Sequence, residues 1–337
     1  MTTTTPLTQF LHQKRPAINA LAMAYTLLAY AGGILLILQA SLGWNVLGVG
    51  LLTHALVLSA YWSHEFMHGT IFERRSWNTA WGNLMLWING SCYARFDDLA
   101  KLHIGHHVNR VDFHPIDLSA YVRSLPPFLR SLILGLEWLY FPALAFLMRF
   151  RSITAPFWKA DRKDERWRVT LIFLVRTSLF IGLAVLSMKA VLLYFVAFVA
   201  MIHVLRFVDA FQHTYEVFPL GTPVPKRDRA HEQANTFSNL VSQRYPWLNL
   251  LILNFSYHNA HHELMKCPWY NLPALDRTLF RGDEPHYIPL PKLVRNYHRF
   301  RVSRIFSGQG SARDAAGNPS LDAFYGAVEV SLLVLPA

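Results

Sequence analysis

Eight of the sixteen histidines in this chain of 337 residues stand in three short groups: His64 and His68 in HEFMH, His103, His106 and His107 in HIGHH, and His258, His261 and His262 in HNAHH. On a helix, residues three and four apart share one face, with side chains about 5 to 6 Å apart. Each group is therefore expected to aim its imidazoles at one point. Imidazole is a neutral metal ligand whose lone pair suits Fe, Zn, Cu or Ni. Eight imidazoles exceed what one ion accepts, so two metals are expected. A ninth ligand candidate is His213 in DAFQH, where Asp209 stands four residues earlier and could orient a ligand or hold a metal-bound water. Glu65, inside the first group, points off the His64 to His68 face and is expected to accept a hydrogen bond rather than bind metal. His54, His114 and His203 fall outside the set.

The elements that must position these groups follow from composition. The chain is 53% hydrophobic and only 16% charged, against about 25% charged for a typical soluble domain. This marks a membrane protein. Residues 16 to 63 contain no Asp, Glu, Lys or Arg across 48 positions. As one helix that run would reach about 72 Å, more than twice the roughly 30 Å hydrocarbon core, so it must fold back. The break is expected at Gln39 to Asn45, leaving spans near 18–38 and 46–62. A second hairpin reads as 169–188 and 190–206, with Lys189 at the turn. Arg176 lies inside the third span, where a charge is costly unless it snorkels or faces protein. Two shorter apolar stretches, Ala80 to Ile88 and Ser131 to Met148, the latter interrupted by Glu137 and Pro142, read as interfacial helices. The expected fold is an all-α membrane protein: four transmembrane helices in two hairpins, interfacial helices and a histidine-rich cap. Residues 1–16 form a leading segment, 17–275 the membrane domain and 276–337 a basic tail.

Net charge is +11, and excess Lys and Arg in a membrane protein marks the cytoplasmic side. Nucleic acid is not the expected partner. The stretch from Arg149 to Arg168 also carries Arg151, Lys159, Arg162, Lys163 and Arg166, whereas the turn near 39–45 has no basic residue. Both termini, the histidine groups and this middle segment are thus expected in the cytoplasm, at the inner membrane if the chain is bacterial. Trp62, Trp138, Trp158 and Trp167 are placed as an aromatic belt. Lys14 and Arg15 precede an apolar stretch too long for a signal peptide, so the first span is expected to stay as an anchor. The threonines at 2 to 5 read as a disordered start. After Leu275 the basic residues Arg281, Lys292, Arg295, Arg299, Arg301 and Arg304 read as a solvated tail. Cys92 and Cys267 lack the spacing of a disulfide framework or thiolate metal site.

The arrangement HEFMH, HIGHH and HNAHH, beside two membrane hairpins, resembles the integral-membrane fatty acid desaturase superfamily over about residues 50 to 275. DAFQH is similar to the family's extra ligand segment, with Asp209 where the family often has Asn or another polar residue. FQHTYE, LNFSYHNAHH and PWYNLP are similar to bacterial acyl desaturases. The resemblance implies a non-haem centre of two Fe that uses O2 and two electrons to dehydrogenate an acyl chain. It implies the ligands His64, His68, His103, His106, His107, His213, His258, His261 and His262, with Asp209 acting through water. Asp209, Glu65, Asp98 and Glu263 are candidates to offset the charge of the metals. Hydroxylation, ketolation and triple-bond formation use the same core. The acyl group could arrive on coenzyme A, on acyl carrier protein or in a phospholipid. The sole His-Pro pair, His114-Pro115, is followed by Ile116 rather than the Gly-Gly of a haem domain, and no flavin or nicotinamide fingerprint is evident. Electrons are therefore expected from a separate ferredoxin- or cytochrome-type donor, for which the basic tail offers a docking face.

Other classes fit less well. A metal transporter or store would carry charged or histidine side chains along its spans, and the spans offer only Arg176 and His54. Catalytic zinc takes three protein ligands and an open position. Bis-histidine haem needs pairs on facing spans.

Overall fold

The computed structural model describes residues 7–114, 116–219, 221–328 and 333; the threonines at 2 to 5 and Pro115 lie outside them. Four helices are long and apolar enough to cross a membrane. The first span is Pro16–Ile37 and the second Leu42–His68. The turn between them is shorter than expected. Gly43 and Asn45 sit inside the second helix, where the Asn45 amide donates to Leu36 O at 3.0 Å and Gln39 O at 2.9 Å. It thereby ties the end of the first helix to the start of the second. The two helices cross closely at Gly33 and Gly48, where an added Cβ on Gly33 would stand 2.7 Å from Leu52 Cγ. Small residues permit such approach between membrane helices.

The second helix runs to His68, six residues past the expected end, and stops at Gly69 with φ +66°. Its 27 residues reach about 40 Å, so its last turns stand beyond a roughly 30 Å core and carry His64 and His68. Trp62 is fully buried and donates to Thr26 Oγ1 at 3.1 Å. It belongs to the core, not to an aromatic belt; Trp138, Trp158 and Trp167 are exposed.

The third span continues from a 3-10 turn, Ala160–Glu165, as Arg166–Leu186, and the fourth is Met188–Ala210. The break falls at Ser187, whose backbone is extended and whose hydroxyl accepts from Ala190 N at 3.2 Å. Lys189 lies in the first turn of the fourth span and its ammonium donates to Gln39 O, so both hairpin turns meet at one end of the bundle. The histidines gather at the other. Arg176 faces protein and donates to Trp87 O at 2.8 Å.

The apolar stretch 80–88 is part of a helix, Arg75–Asn89, laid against the second span. The stretch 131–148 is two helices, Pro127–Trp138 and Ala143–Trp158, bent by 119°. Glu137 is buried at this bend, accepting from Leu144 N at 2.8 Å and from Arg206 of the fourth span at 3.0 Å. A polar residue in an apolar run is thus the joint between two elements.

The described residues after Leu275 are folded, not a solvated tail. Leu290–Arg299 forms a helix whose Leu293 is buried, Phe324 is fully buried against Phe211 and Phe237, and Ala327 N donates to Ala210 O at 2.7 Å. Among the described residues the only paired strands are Asp112–His114 and Val217–Pro219, parallel to each other. The protein is otherwise an all-α membrane protein.

Candidate metal centre

Four elements bring nine imidazoles together. The end of the second span supplies His64 and His68, the helix Phe96–Asn109 supplies His103, His106 and His107, and the short helix His258–Glu263 supplies His258, His261 and His262. His213 follows the fourth span in an extended segment bridged to Thr236. All four deliver their side chains to the end of the bundle away from the hairpin turns.

The nine divide into two sets. His64, His68, His103, His107 and His261 offer nitrogens that lie within 4.8 Å of one another. Their Nε2 atoms are neighbours at 3.1 Å (His64 and His68), 2.8 Å (His68 and His103), 3.2 Å (His103 and His107), 3.2 Å (His107 and His261) and 3.2 Å (His261 and His64). The second set gathers His106, His213 and His262, with His258 Nε2 at 2.8 Å from His213 Nε2. A metal with bonds of about 2.0–2.1 Å to nitrogen separates adjacent donors by about 2.9 Å at right angles and about 3.3 Å at the tetrahedral angle. The observed spacings are the edges of such a polyhedron. His262 Nε2 is buried and has no hydrogen-bond partner, as expected of an atom meant for a metal.

The division corrects the expectation that each group converges on one point. His103 and His107, four apart, join the first set while His106 joins the second; in the third group His258 and His262 join the second set and His261 the first. Neighbouring residues on a helix diverge by about 100° whereas residues four apart differ by about 40°. Each i, i+4 pair therefore stays together and the i+3 residue crosses to the other set.

Burial, reinforced by the neighbouring imidazoles, holds His103, His107, His213, His258 and His262 well below the usual histidine pKa, and takes His261 down to about 3. They are neutral at physiological pH with lone pairs free. Hydrogen bonds at Nδ1 fix which nitrogen is free. His64 Nδ1 meets Glu65 at 3.3 Å, His106 Nδ1 meets Val111 O and Asp112 at 3.0 Å each, and His262 Nδ1 meets Glu232 at 3.0 Å. Thr236 gives its own proton to Glu232 O at 2.7 Å, so at 3.3 Å it accepts from His213 Nδ1.

Glu65 thus holds a ligand, and also accepts from Thr70 Oγ1 at 2.8 Å and Trp269 N at 3.2 Å. Asp98 and Glu263 do not reach the histidines; they pair with Lys101 and Arg229. Besides Glu65, the carboxylates in contact are Asp112 and Glu232, which the sequence reading missed. Asp112 follows the second group by five residues and could have been sought there. Glu232 is far from every group in sequence and gives no spacing signal. Asp209 is half-buried, its Oδ1 atom shielded and without a hydrogen-bond partner, but its oxygens are not among the converging donors. The helix ends at Ala210, so the i, i+4 relation to His213 is lost. His54 and His203 make structural contacts, to Tyr25 and Leu251 O and to Tyr140 O.

Glu232 is buried between His262 and Arg110, whose Nε donates to it at 2.8 Å. Carboxylates behind a metal-bound histidine carry about 10- to 100-fold in metal affinity. Glu232→Gln is expected to weaken metal binding to the second set by about that factor, read by chelator competition, while the first set stays loaded.

No curated protein matches the chain by sequence. The family model described as Fatty acid desaturase matches residues 42–293, a stretch that begins with the second span, holds all nine histidines and reaches the helix Leu290–Arg299. With three-quarters of its length so matched, and with two imidazole sets built from its histidine groups, the chain belongs to the fatty acid desaturase family.

Proposed function

We propose that the chain is an O2-dependent acyl lipid desaturase with two iron ions, acting at the cytoplasmic face of the membrane. The observation that carries this reading is the partition of nine imidazoles into sets of five and four. The donor set fits two ions that keep open positions and change oxidation state. Zinc, which has no redox chemistry, would not serve. When bound, the iron pair supplies O2 activation and the removal of two hydrogens from the acyl chain, with two electrons taken from a separate ferredoxin- or cytochrome-type donor.

The chain's own residues supply position and environment. Glu65, Asp112, Glu232 and Thr236 hold four imidazoles by Nδ1. Phe255 lies 4.8 Å from the His64 ring and 4.6 Å from Tyr61, an apolar wall between the second span and the histidines. Asp209, half-buried at the end of the fourth span, is assigned a water-holding role. The cytoplasmic assignment rests on basic residues at the histidine end: Arg168 donates to the carbonyls of Cys92, Tyr93 and Ala94 just before the helix that holds HIGHH. That end is the expected inside face.

The test is lipid analysis after incubating iron-loaded protein with O2, a reductant system and acyl substrates on coenzyme A, on acyl carrier protein and in phospholipid. A product lighter by two hydrogens, dependent on O2, is expected from one of these. An added oxygen atom would replace desaturation with hydroxylation on the same core. No O2-dependent change in any carrier, with iron bound, would overturn the reading.

A further inference from the structure

A cavity lies inside the membrane-spanning bundle, and none of the nine histidines lines it. It holds about 540 Å³ between the first, third and fourth spans, under the end of the helix Arg75–Asn89. Its walls are apolar from Tyr30 to Leu38 on one side and from Arg176 to Leu186 on the other. From Arg176 to Leu186 the helix rises about 15 Å, half of a roughly 30 Å hydrocarbon core.

One end of the cavity is polar. Tyr30 and Tyr194 place their hydroxyls 3.2 Å apart, and the Arg176 guanidinium stands beside Tyr194. Arg176 donates to Trp87 O at 2.8 Å and approaches Cys92 Sγ at 3.8 Å and the Phe180 ring at 5.8 Å. Among the described residues it pairs with no carboxylate. Arg206, Arg162 and Arg110 pair with Glu137, Glu165 and Glu232, while Arg168 and Arg304 are each bonded to backbone carbonyls and line no part of this cavity. An ionisable residue within a span is expensive and points to function. Arg176, at the polar end of an apolar slot within a span, is a cation with no described carboxylate beside it.

We propose that this cavity binds a long-chain fatty acid, with its carboxylate received by Arg176 and the Tyr30 and Tyr194 hydroxyls and its hydrocarbon lying along the third span. Guanidinium and carboxylate form short, charge-assisted hydrogen bonds. The volume falls in the range of about 300–1,000 Å³ that suits ligands of this size. The third span is largely exposed along Leu171, Leu174, Leu179 and Val185, so the slot opens to lipid, from which a fatty acid enters directly. The site does not depend on the reaction proposed above.

Binding is measured on the iron-loaded protein in lipid nanodiscs, with a fluorescent long-chain polyene fatty acid and its methyl ester as probes. Wild type is expected to hold the acid at least about tenfold more tightly than the ester, and Arg176→Gln to abolish that preference. Gly182 lines the cavity with no atom within 4 Å of an added Cβ, so Gly182→Leu fills it without disturbing Arg176 and is expected to weaken acid and ester alike. This variant decides the case if Arg176→Gln does not fold. His262→Ala is expected to bind the acid as wild type does, which separates this site from the metal centre. Equal affinity of wild type for acid and ester, or full binding by Gly182→Leu, would overturn the proposal.

Discussion

His213→Ala is expected to retain about one metal per chain instead of two and to lower turnover by more than about a hundredfold, the upper cost of losing even an indirect partner of a metal ligand. The second set has four imidazoles where the first has five, and His213 is central to it, with Nε2 at 3.2 Å from His106 and 2.8 Å from His258. It is also the one ligand that no histidine group announces. Its removal leaves the five nitrogens around His68 untouched, so the loss is confined to one metal. Elemental analysis and turnover on the same preparation check this. Two retained metals with turnover above about a tenth of wild type would remove His213 from the ligand set.

The metal-free protein is expected to lose stability steeply as pH falls below about 6.5. In the folded chain the buried histidines outside the spans resist protonation, with His261 held to about 3; once unfolded they titrate near 6.5. Unfolding therefore takes up protons at acid pH, and each histidine withdraws about 1.4 kcal/mol of stability per pH unit between its unfolded and folded values. Counting two of the six alone, the loss is about 2.7 kcal/mol per unit. Above about pH 7 the effect vanishes, because both states are then neutral. Bound metal competes for the same lone pairs, so the loaded protein should hold its midpoint to lower pH. Thermal unfolding at pH 7.5, 6.5 and 5.5 with and without metal tests this. A flat midpoint in the metal-free protein would contradict burial of neutral imidazoles.

Much of this was legible because two signals act locally. A run without charges must cross or fold back in the membrane, and histidine spacing on a helix sets which side chains share a face. The spans and the eight imidazoles of the three groups follow from those rules, whereas His213 stands alone in the sequence. What the sequence hid depended on contacts across the fold. Glu137 and Arg176 read as interruptions of apolar segments, yet one is paired with Arg206 and the other bonds Trp87 O. Trp62 read as an interfacial anchor but meets Thr26 in the core. The basic tail concealed Leu293 and Phe324, whose burial against the cap outweighs the solvation preference of the arginines around them. Glu232 could not be assigned from spacing, since it meets His262 only after distant segments are brought together, whereas Asp112 lies six residues from its His106.

The most direct test is iron per chain by elemental mass spectrometry, on detergent-purified wild type and His262→Ala. Two sets of imidazoles predict about two iron ions in wild type and a clear loss in the variant. At most one metal in wild type, with the same content in His262→Ala, would contradict a dinuclear centre and the desaturase reading built on it.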